Sequence, residues 1–572
     1  MIKKLIKKYW HYAILTILAS LFFIGVSSYI YSSQKGEFVK WGSPDETANY
    51  IFAKLYAQEG QLTIFEKYNL SLGDILHPRS MRSDFGKIKP ISFLGIILIY
   101  GKIASIFGYK IIPYLTPILA FIGIIYFYLL IKKIFGRANA LLSAFFLASF
   151  PVYIYYSARS MFHNVLFTAL LIISLYYAVL MAGKNKGGRI ALKAVESLKL
   201  FYACLAGGFL GLAIITRASE ILWLLPLFLI LWIFNFKKVG IIKLLLFLSF
   251  LFLATLPMFY WNEILYGATL KGGYPEMNSA IKNIASESAQ ALKEGISRSS
   301  VNYKNYFISL RDNIFHFGFH PYQSLKMFYY YFAKMFWWLF WPAFFGFLLF
   351  LFKIKKWGKK HWAYLISYFI ISLILLFYYG SWKFHDNPDP NSFTIGNSYT
   401  RYWLPVYLGA MPFASVFIIK LTKFFKKRFF VATGRIVLFI LIFFVSLKFT
   451  LIGSEEGLIF TGLKVNESKY QYEKVLGLTE SNAAIITLYH DKLFFPERKV
   501  IVGLFDDSNM LKEYAKLINY LPVYYYNFTL PPKDFNYLND KKLGEYSLRL
   551  LMIEKITNDF TLYRLGKRVE SL

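Results

Sequence analysis

Residues 41–50 read Trp41-Gly42-Ser43-Pro44-Asp45-Glu46-Thr47-Ala48-Asn49-Tyr50, and they follow closely after the first apolar run of the chain. Acids are scarce in this protein, since 32 Asp and Glu stand against 65 Lys and Arg and the net charge is +33. An adjacent pair of carboxylates is typical of a helix start, because acids favour the positive end of the helix dipole. A pair held beside a membrane span also indicates chemistry at the membrane surface.

The composition is that of a polytopic membrane protein. Of the 572 residues, 57% are hydrophobic and 20% aromatic, and the mean hydropathy is +0.44, which argues against a soluble enzyme. The single cysteine, Cys204, excludes a disulfide framework and a cysteine zinc site. The bases cluster between apolar runs, where they orient spans and contact anionic lipids. Because no nucleic-acid-reading motif is present, we expect no nucleic-acid partner.

Twelve apolar runs are candidates for membrane spans. They lie near 11–31, 91–107, 111–131, 140–156, 163–182, 201–217, 219–236, 240–260, 327–352, 362–380, 402–420 and 436–453. The most basic connectors all fall on the inner side only if the run 91–107 does not cross, and that run is short and contains Lys102. The sequence therefore predicts about eleven spans, with 91–107 against the outer leaflet.

This topology predicts a multi-pass protein of the cell (plasma) membrane with a cytoplasmic N-terminus. A helix is expected from Asp45 to Glu59, and Gly60 should end it. After residue 453 the hydropathy falls, and short apolar strands surround a helix near 507–520. We therefore expect a helical membrane domain at 1–453 and a small extracytoplasmic α/β domain at 454–572.

The membrane domain carries two long outer loops, 32–110 and 261–326. In the second loop, a polar helix is expected near 277–298, and His316 and His320 stand four residues apart, as two ligands of a zinc site would on a helix. Gly318 between the two histidines and the lack of further ligands favour a structural role. The sequence thus leaves the presence of a divalent metal open.

Cations on the predicted outer side accompany the two carboxylates. Three of them, Arg159, Arg217 and Arg401, lie at span ends, where an unpaired charge is costly and indicates function. A lipid-phosphate-linked sugar needs cations at its phosphate and a carboxylate to take the proton of the attacking hydroxyl. The alternative for each cation is contact with lipid heads. The further candidates for contacts to donor or acceptor are Lys89, His77, Arg79, Arg82 and Tyr402.

Several short motifs together resemble one family. They are Pro44-Asp45-Glu46-Thr47, Lys89-Pro90, Phe135-Gly136-Arg137, Arg159, Gly211-Leu212-Ala213 before Thr216-Arg217, and Arg401-Tyr402 with Pro405. In this order they are similar to the GT-C glycosyltransferases, in particular the protein O-mannosyltransferase and lipid A aminoarabinose transferase group. The resemblance covers about residues 30–450.

The resemblance implies roles for individual residues. Asp45 would be the catalytic base, and Glu46 would orient the acceptor or a metal. Lys89, Arg217 and Arg401 would face the donor phosphate, and we add Arg159 to this set.

Two positions depart from the family pattern, and one motif of oligosaccharyltransferases is missing. Asn164 stands where many relatives have an acid, and Arg217 stands where lysine is usual. Trp337-Trp338 is followed by Leu339, so the Trp-Trp-Asp motif of oligosaccharyltransferases is absent and transfer of a whole glycan is not expected.

The function implied is an inverting glycosyltransferase. It would move a monosaccharide from a polyprenyl or dolichyl phosphate carrier in the membrane to a hydroxyl on protein, lipid or glycan at the outer face. A transporter or flippase for a lipid-linked sugar or another anionic lipid is the alternative, although the loop spacing shows no half-chain symmetry. A third reading is an inactive scaffold that presents the domain 454–572.

Overall fold

The computed structural model describes residues 2–568, with gaps at 35–37, 184–188, 276–277, 280–281, 284–285, 287–310, 316–317, 353–357, 388, 390, 425–426 and 454–455. The chain forms two compact units. The first unit comprises Met1–Ile30, Phe93–Ile96 and Pro113–Phe460, and the second comprises Tyr31–Ser92, Ile97–Ile112 and Thr461–Leu572.

Helices dominate the chain up to residue 480. In chain order they are α1 (Ile2–Ser33), α2 (Pro44–Glu59), α3 (Leu94–Phe107), α4 (Ile112–Phe135), α5 (Arg137–Ser149), α6 (Pro151–Ala158), α7 (His163–Met181), α8 (Arg189–Thr216), α9 (Ile221–Tyr266), α10 (Pro321–Phe328), α11 (Trp337–Leu351), α12 (Lys359–Gly380), α13 (Ser398–Tyr402), α14 (Leu404–Lys423), α15 (Arg428–Ile452) and α16 (Leu458–Leu478).

Within the described part of the chain, eight helices are long and apolar enough to cross a membrane. Two further pairs of helices pass the same test as broken spans, α5 with α6, bent by 49°, and the segment Pro321–Lys334 with α11, bent by 100°. The first bend lies at Pro151, which cannot donate the backbone hydrogen bond that would continue α5. Counting each pair once gives up to ten spans.

Helix α9 covers two of the predicted spans, 219–236 and 240–260. Its backbone leaves the helical region at Gly240, with φ 65° and ψ 171°. The rings of Phe228 and Phe247, on opposite sides of this break, lie 5.6 Å apart. In a continuous helix these residues would be separated by about 28 Å along the axis, so the chain reverses at Gly240. With this hairpin counted as two segments, the described chain has eleven apolar segments, the same number as the spans that the sequence predicts.

The run 91–107 forms the short helix α3. At 14 residues it is about 21 Å long and does not reach across about 30 Å of hydrocarbon. Its beginning packs tightly in the first unit, because a side chain at Gly95 would collide with the backbone of Ile215 and Thr216 at the end of α8. This close approach places the start of α3 beside Arg217.

The second unit contains two sheets. The small antiparallel sheet has the order β1 (Ile64–Phe65), β3 (Lys87–Pro90), β2 (Met81–Asp84). The larger sheet contains β4 (Ala484–Thr487), β5 (Lys499–Val502), β6 (Val523–Phe528), β7 (Leu548–Lys555) and β8 (Phe560–Lys567). Its order is β5-β4-β6-β8-β7, with β4 parallel to β5 and β6, and β8 antiparallel to β6 and β7.

The helices of this C-terminal region are short. They are α17 (Asp491–Phe494), α18 (Ser508–Leu517) and α19 (Pro532–Tyr537). Helix α18 corresponds to the helix predicted near 507–520, and the five strands correspond to the predicted strands. Apolar side chains of β4, β6 and β8 pack together with those of helix α18 in one buried core. The C-terminal region is therefore an α/β fold.

The segment Tyr31–Ser92, which we call the first-loop segment, shares this core. Leu72 and Leu76 belong to the same buried cluster as Ile486, Ile501 and Tyr525. His77 also pairs with Ile501 as an isolated parallel bridge. By packing, the first-loop segment therefore belongs with the C-terminal α/β region, although hydropathy assigned it to the domain 1–453 as an outer loop.

Candidate functional site

The first turn of α2 carries the two adjacent acids, and we call it the carboxylate turn. Ser43 precedes the helix with extended backbone angles, Pro44 occupies the first turn, and Gly60 ends the helix with φ 68°. The Glu46 side chain is fully buried, at 0% exposure, whereas Asp45 is partly exposed. Asp45 is thus the carboxylate of this pair that a substrate can reach.

Asp45 is oriented by the loop that precedes β2. The Ser80 hydroxyl donates a hydrogen bond to Asp45 Oδ1. One turn further along α2, buried Asn49 accepts a 2.6 Å hydrogen bond from the Ser92 hydroxyl. Two contacts from separate loops therefore fix the start of α2 in the second unit.

Lys89 and Arg82 meet on the small sheet. They are register partners on β3 and β2, and both contact Asp84 Oδ2, Lys89 Nζ at 2.5 Å and Arg82 Nη2 at 2.6 Å. Burial raises the pKa of Asp84, but hydrogen bonds from Lys89 and Arg82 outweigh burial, so its pKa is lower than usual. Lys89 is buried, at 8% exposure, and its predicted role at the donor phosphate stays a prediction.

His77 and Arg79 lie against the C-terminal α/β region. Arg79 contacts both carboxylate oxygens of Asp491, and His77 Nδ1 lies 3.0 Å from the carbonyl oxygen of Pro78. The structure therefore shows a packing role for these two residues, and their contacts to the substrate stay a prediction.

The first unit brings Arg159, Arg217 and Arg401 together with aromatic rings, and we call this group the arginine cluster. The guanidinium carbons of Arg159 and Arg401 lie 4.9 Å and 4.4 Å from the centroid of the same ring, Phe162. The centroid of Tyr402 lies 5.2 Å from Arg401 and 4.6 Å from Arg217. Cations from three separate chain segments thus converge, as a phosphate site requires.

Arg159 and Arg401 are partly exposed. Arg159 donates to the Tyr155 hydroxyl at 2.9 Å, and Arg401 donates to the Ser398 hydroxyl at 2.7 Å. Because both charges lie on one ring, their positive potentials add where a ligand can approach. This pair is the strongest candidate for an anion site among the described residues of the first unit.

Arg217 differs from the other two arginines. It is buried and donates from Nε to Glu220 at 2.7 Å and from Nη2 to the Tyr379 hydroxyl at 3.0 Å. Tyr379 also donates to Glu220, and Trp223 does so through its indole nitrogen. A buried carboxylate therefore compensates this charge, and a role of Arg217 at the donor phosphate stays a prediction.

Helix α13 holds Arg401 in place. The Asp386 carboxylate accepts from the backbone nitrogen of Ser398 at 2.9 Å, from its hydroxyl at 2.5 Å, and from the Asn397 amide at 2.7 Å. Asn164 donates from its amide to the Arg401 carbonyl at 3.2 Å. It thus links α7 to α13.

Sequence reasoning missed Phe162, Asp84, Glu220 and Asp491 as partners of the candidate cations. Phe162 and Glu220 each lie three residues after an arginine that was singled out, so local spacing could have identified them. Asp491 lies 412 residues from Arg79, and no local pattern connects the two.

A divalent metal has no obvious site in the part of the chain that the structure describes, where no group of three His, Cys, Asp or Glu side chains could hold one. His320 is described, and its backbone nitrogen donates to the Ser381 hydroxyl at 3.0 Å. His316 and most of the predicted helix 277–298 lie outside the described residues.

Solved structures of two proteins are among those that share this architecture. The oligosaccharyltransferase AglB from Archaeoglobus fulgidus, in complex with an inhibitory peptide and a dolichol-phosphate, aligns over 95% of this chain and 72% of its own, with TM-score 0.53 and 13% identity. ArnT from Cupriavidus metallidurans, bound to undecaprenyl phosphate, aligns over 96% of this chain and 98% of its own, with TM-score 0.54 and 10% identity.

Both structures belong to GT-C membrane glycosyltransferases. This chain therefore has the GT-C fold, and the resemblance that the sequence motifs indicated is confirmed at the level of the fold. The sequence itself matches no protein-family model and no curated protein.

Proposed function

With the GT-C fold as the framework, we propose that this protein is an inverting glycosyltransferase of the cell membrane. It transfers a monosaccharide from a polyprenyl or dolichyl phosphate carrier to a hydroxyl group on the outer face. The observation that carries the proposal is Asp45, a partly exposed carboxylate in a helix first turn that Ser80 orients. In an otherwise basic chain, this arrangement suits a general base.

Arg159 and Arg401 bind the donor phosphate in this proposal. Guanidinium groups bind phosphate oxygens through paired hydrogen bonds, and they stabilise the negative charge that grows on the leaving phosphate. Both arginines lie on the face of Phe162, which keeps their charges close together and uses little of their hydrogen-bonding capacity. Arg217 lies against Tyr402 and helps to hold that ring in place.

The reaction requires one displacement. The acceptor oxygen attacks the anomeric carbon of the sugar and forms a new glycosidic bond, while the bond from that carbon to the phosphate oxygen breaks. The electron pair of the broken bond stays with the lipid phosphate, and the acceptor proton moves to the Asp45 carboxylate. Because attack and departure occur on opposite faces, the anomeric configuration inverts.

The ligands bound to the two structural neighbours support a lipid-phosphate donor. AglB is described with a dolichol-phosphate and ArnT with undecaprenyl phosphate. The absence of the Trp-Trp-Asp motif at Trp337-Trp338-Leu339 favours transfer of a single sugar. The acceptor in this proposal is a hydroxyl of protein, lipid or glycan.

The test is sugar transfer by the full-length protein in lipid vesicles. A panel of dolichyl and undecaprenyl phosphate monosaccharides is offered, and covalent products are identified by mass spectrometry. Asp45→Asn keeps the size of the side chain but removes the base, so kcat should fall by about 10³-fold. Asp506→Asn, at an exposed carboxylate of the C-terminal region that pairs with Lys542, is the control and should keep wild-type turnover.

Undiminished transfer by Asp45→Asn would contradict the proposal. Movement of the lipid-linked sugar between leaflets without any covalent product would instead support a flippase.

A further inference from the structure

Contacts between the first-loop segment and the C-terminal α/β region extend to Asp45, the proposed catalytic base. Among the described residues, three ion pairs join these two parts of the second unit. They are Lys40–Glu497 at 2.8 Å, Glu66–Lys499 at 3.2 Å and Arg79–Asp491 at 2.6 Å. Only the third adjoins a residue that contacts Asp45.

Arg79 donates hydrogen bonds to Asp491 from both its backbone and its side chain. The backbone nitrogen of Arg79 donates to Oδ2 at 2.8 Å, while Nε and Nη2 donate to Oδ1 at 3.1 Å and 2.6 Å. Nη2 also donates to the carbonyl of Tyr489 at 3.3 Å. The Asp491 side chain is fully buried, at 0% exposure. Because both carboxylate oxygens are engaged, Asp491 fixes the main chain at residue 79 as well as the guanidinium.

Ser80 follows directly and has an uncommon backbone conformation. Its φ of 61° lies in the left-handed region, which residues other than glycine rarely adopt unless surrounding contacts enforce it. The Ser80 carbonyl accepts from the Ile91 nitrogen at 3.2 Å, and its hydroxyl donates to Asp45 Oδ1. Fixed neighbours on both sides thus hold the hydroxyl toward Asp45.

We propose that Asp491, Arg79 and Ser80 are positioning residues through which the C-terminal α/β region sets the orientation of Asp45. This inference rests on the proposed function, since Asp45 is the base there. The Ser80 hydrogen bond occupies Oδ1, so Oδ2 is directed to the acceptor proton. Small displacements of a reacting group slow enzymatic reactions steeply, because a shift of about 1 Å can cost about 10²-fold in rate.

The experiment separates the effect of the Ser80 hydroxyl from the effect of the strained backbone at residue 80. Ser80→Gly removes the hydroxyl and accepts a positive φ without strain, and Asp491→Asn replaces one accepting oxygen by an amide that cannot accept from Arg79. Each variant should lower kcat by about 10- to 100-fold with the KM for the lipid-linked donor unchanged. The double variant should be no slower than the slower single variant, because both act on one chain of contacts.

Lys499→Gln is the matched control, since it breaks another ion pair between the same two parts of the chain without touching Ser80. It should keep wild-type kcat. Wild-type kcat in Ser80→Gly, or equal losses in Asp491→Asn and Lys499→Gln, would overturn the inference. If Asp491→Asn does not fold, Ser80→Gly decides alone.

The two proposals fail in different ways. If Asp45→Asn keeps transferring sugar, the proposed function fails and the positioning role fails with it. If Asp45→Asn is inactive while Ser80→Gly has wild-type kcat, only the positioning role fails.

Discussion

The arginine cluster and the carboxylate turn are held by different forces. In the arginine cluster, aromatic faces add to the hydrogen bonds of the guanidinium groups, with Phe162 under two of these groups and Tyr402 under two. In the carboxylate turn, hydrogen bonds from loops fix the start of a helix. Aromatic faces tolerate small shifts of a cation, whereas a hydrogen bond fixes an oxygen closely. The difference suits binding of a phosphate in one region and proton transfer in the other.

Loss of the cations on Phe162 should have the largest effect. The double variant Arg159→Gln, Arg401→Gln should bind undecaprenyl phosphate or dolichyl phosphate about 10³-fold more weakly, because each charged hydrogen bond contributes roughly 2 kcal/mol. Titration of the purified protein with either lipid measures the loss. Arg435→Gln, at a residue that donates to Thr422 elsewhere in the first unit, is the control. Equal affinities in the double variant and the wild type would remove the cluster from the donor site.

The buried partner of Arg217 should affect stability more than binding. Glu220→Gln leaves a buried guanidinium without its ion pair and should destabilise the protein by about 3 kcal/mol. Thermal unfolding in detergent measures this, and adding Arg217→Gln should recover part of the loss because the uncompensated charge is removed. If Glu220→Gln unfolds like the wild type but binds the lipid phosphate differently, Arg217 belongs with the binding pair.

His490 should make the stability of the second unit fall at acidic pH. The rings of Tyr526 and Phe560 lie 5.0 Å and 4.6 Å from its imidazole, and burial, aided by Lys492, lowers its pKa to about 4. The unfolded chain binds a proton near pH 6.5, so stability is full above that pH and falls toward pH 4. Between pH 7.5 and pH 5 the loss should be about 2 kcal/mol.

Thermal unfolding between pH 7.5 and pH 5 is measured for the wild-type full chain and for His490→Phe. The variant should lack the loss of stability that protonation of His490 causes in the wild type. If His490→Phe loses as much stability as the wild type between pH 7.5 and pH 5, groups other than His490 cause the loss.

The smallest effect is expected at Asp84. Its side chain is 36% exposed, so Asp84→Asn should cost less than about 1 kcal/mol in stability. The affinity for undecaprenyl phosphate should stay within about twofold of the wild type, because Lys89 remains buried. A tenfold tighter affinity would show that Lys89 faces the donor phosphate once its carboxylate partner is removed.

Much of the fold could be predicted because its signals are local. Apolar runs identified the spans, the change in pattern after residue 453 identified the α/β region, and Gly60 identified the end of α2. The motifs also identified Arg159, Arg217 and Arg401, which the structure brings together. Each of these signals is a property of adjacent residues or of a repeat along one element.

The remaining features depend on contacts between distant parts of the chain. Nothing near Arg79 in the sequence indicates that it pairs with Asp491. A serine at position 80 likewise does not indicate that its backbone adopts the left-handed conformation. The shared core of Leu72 and Leu76 with the C-terminal strands likewise depends on tertiary packing. Hydropathy separates membrane from aqueous segments, but it does not show which aqueous segments pack together.

The central claim is that Asp45 performs chemistry while the arginine cluster binds the donor. The most direct test measures two quantities on the same preparation of Asp45→Asn, its affinity for undecaprenyl phosphate or dolichyl phosphate and its single-turnover rate of sugar transfer. We predict an affinity within about twofold of the wild type and a rate reduced by about 10³-fold. A transfer rate close to that of the wild type would contradict the account.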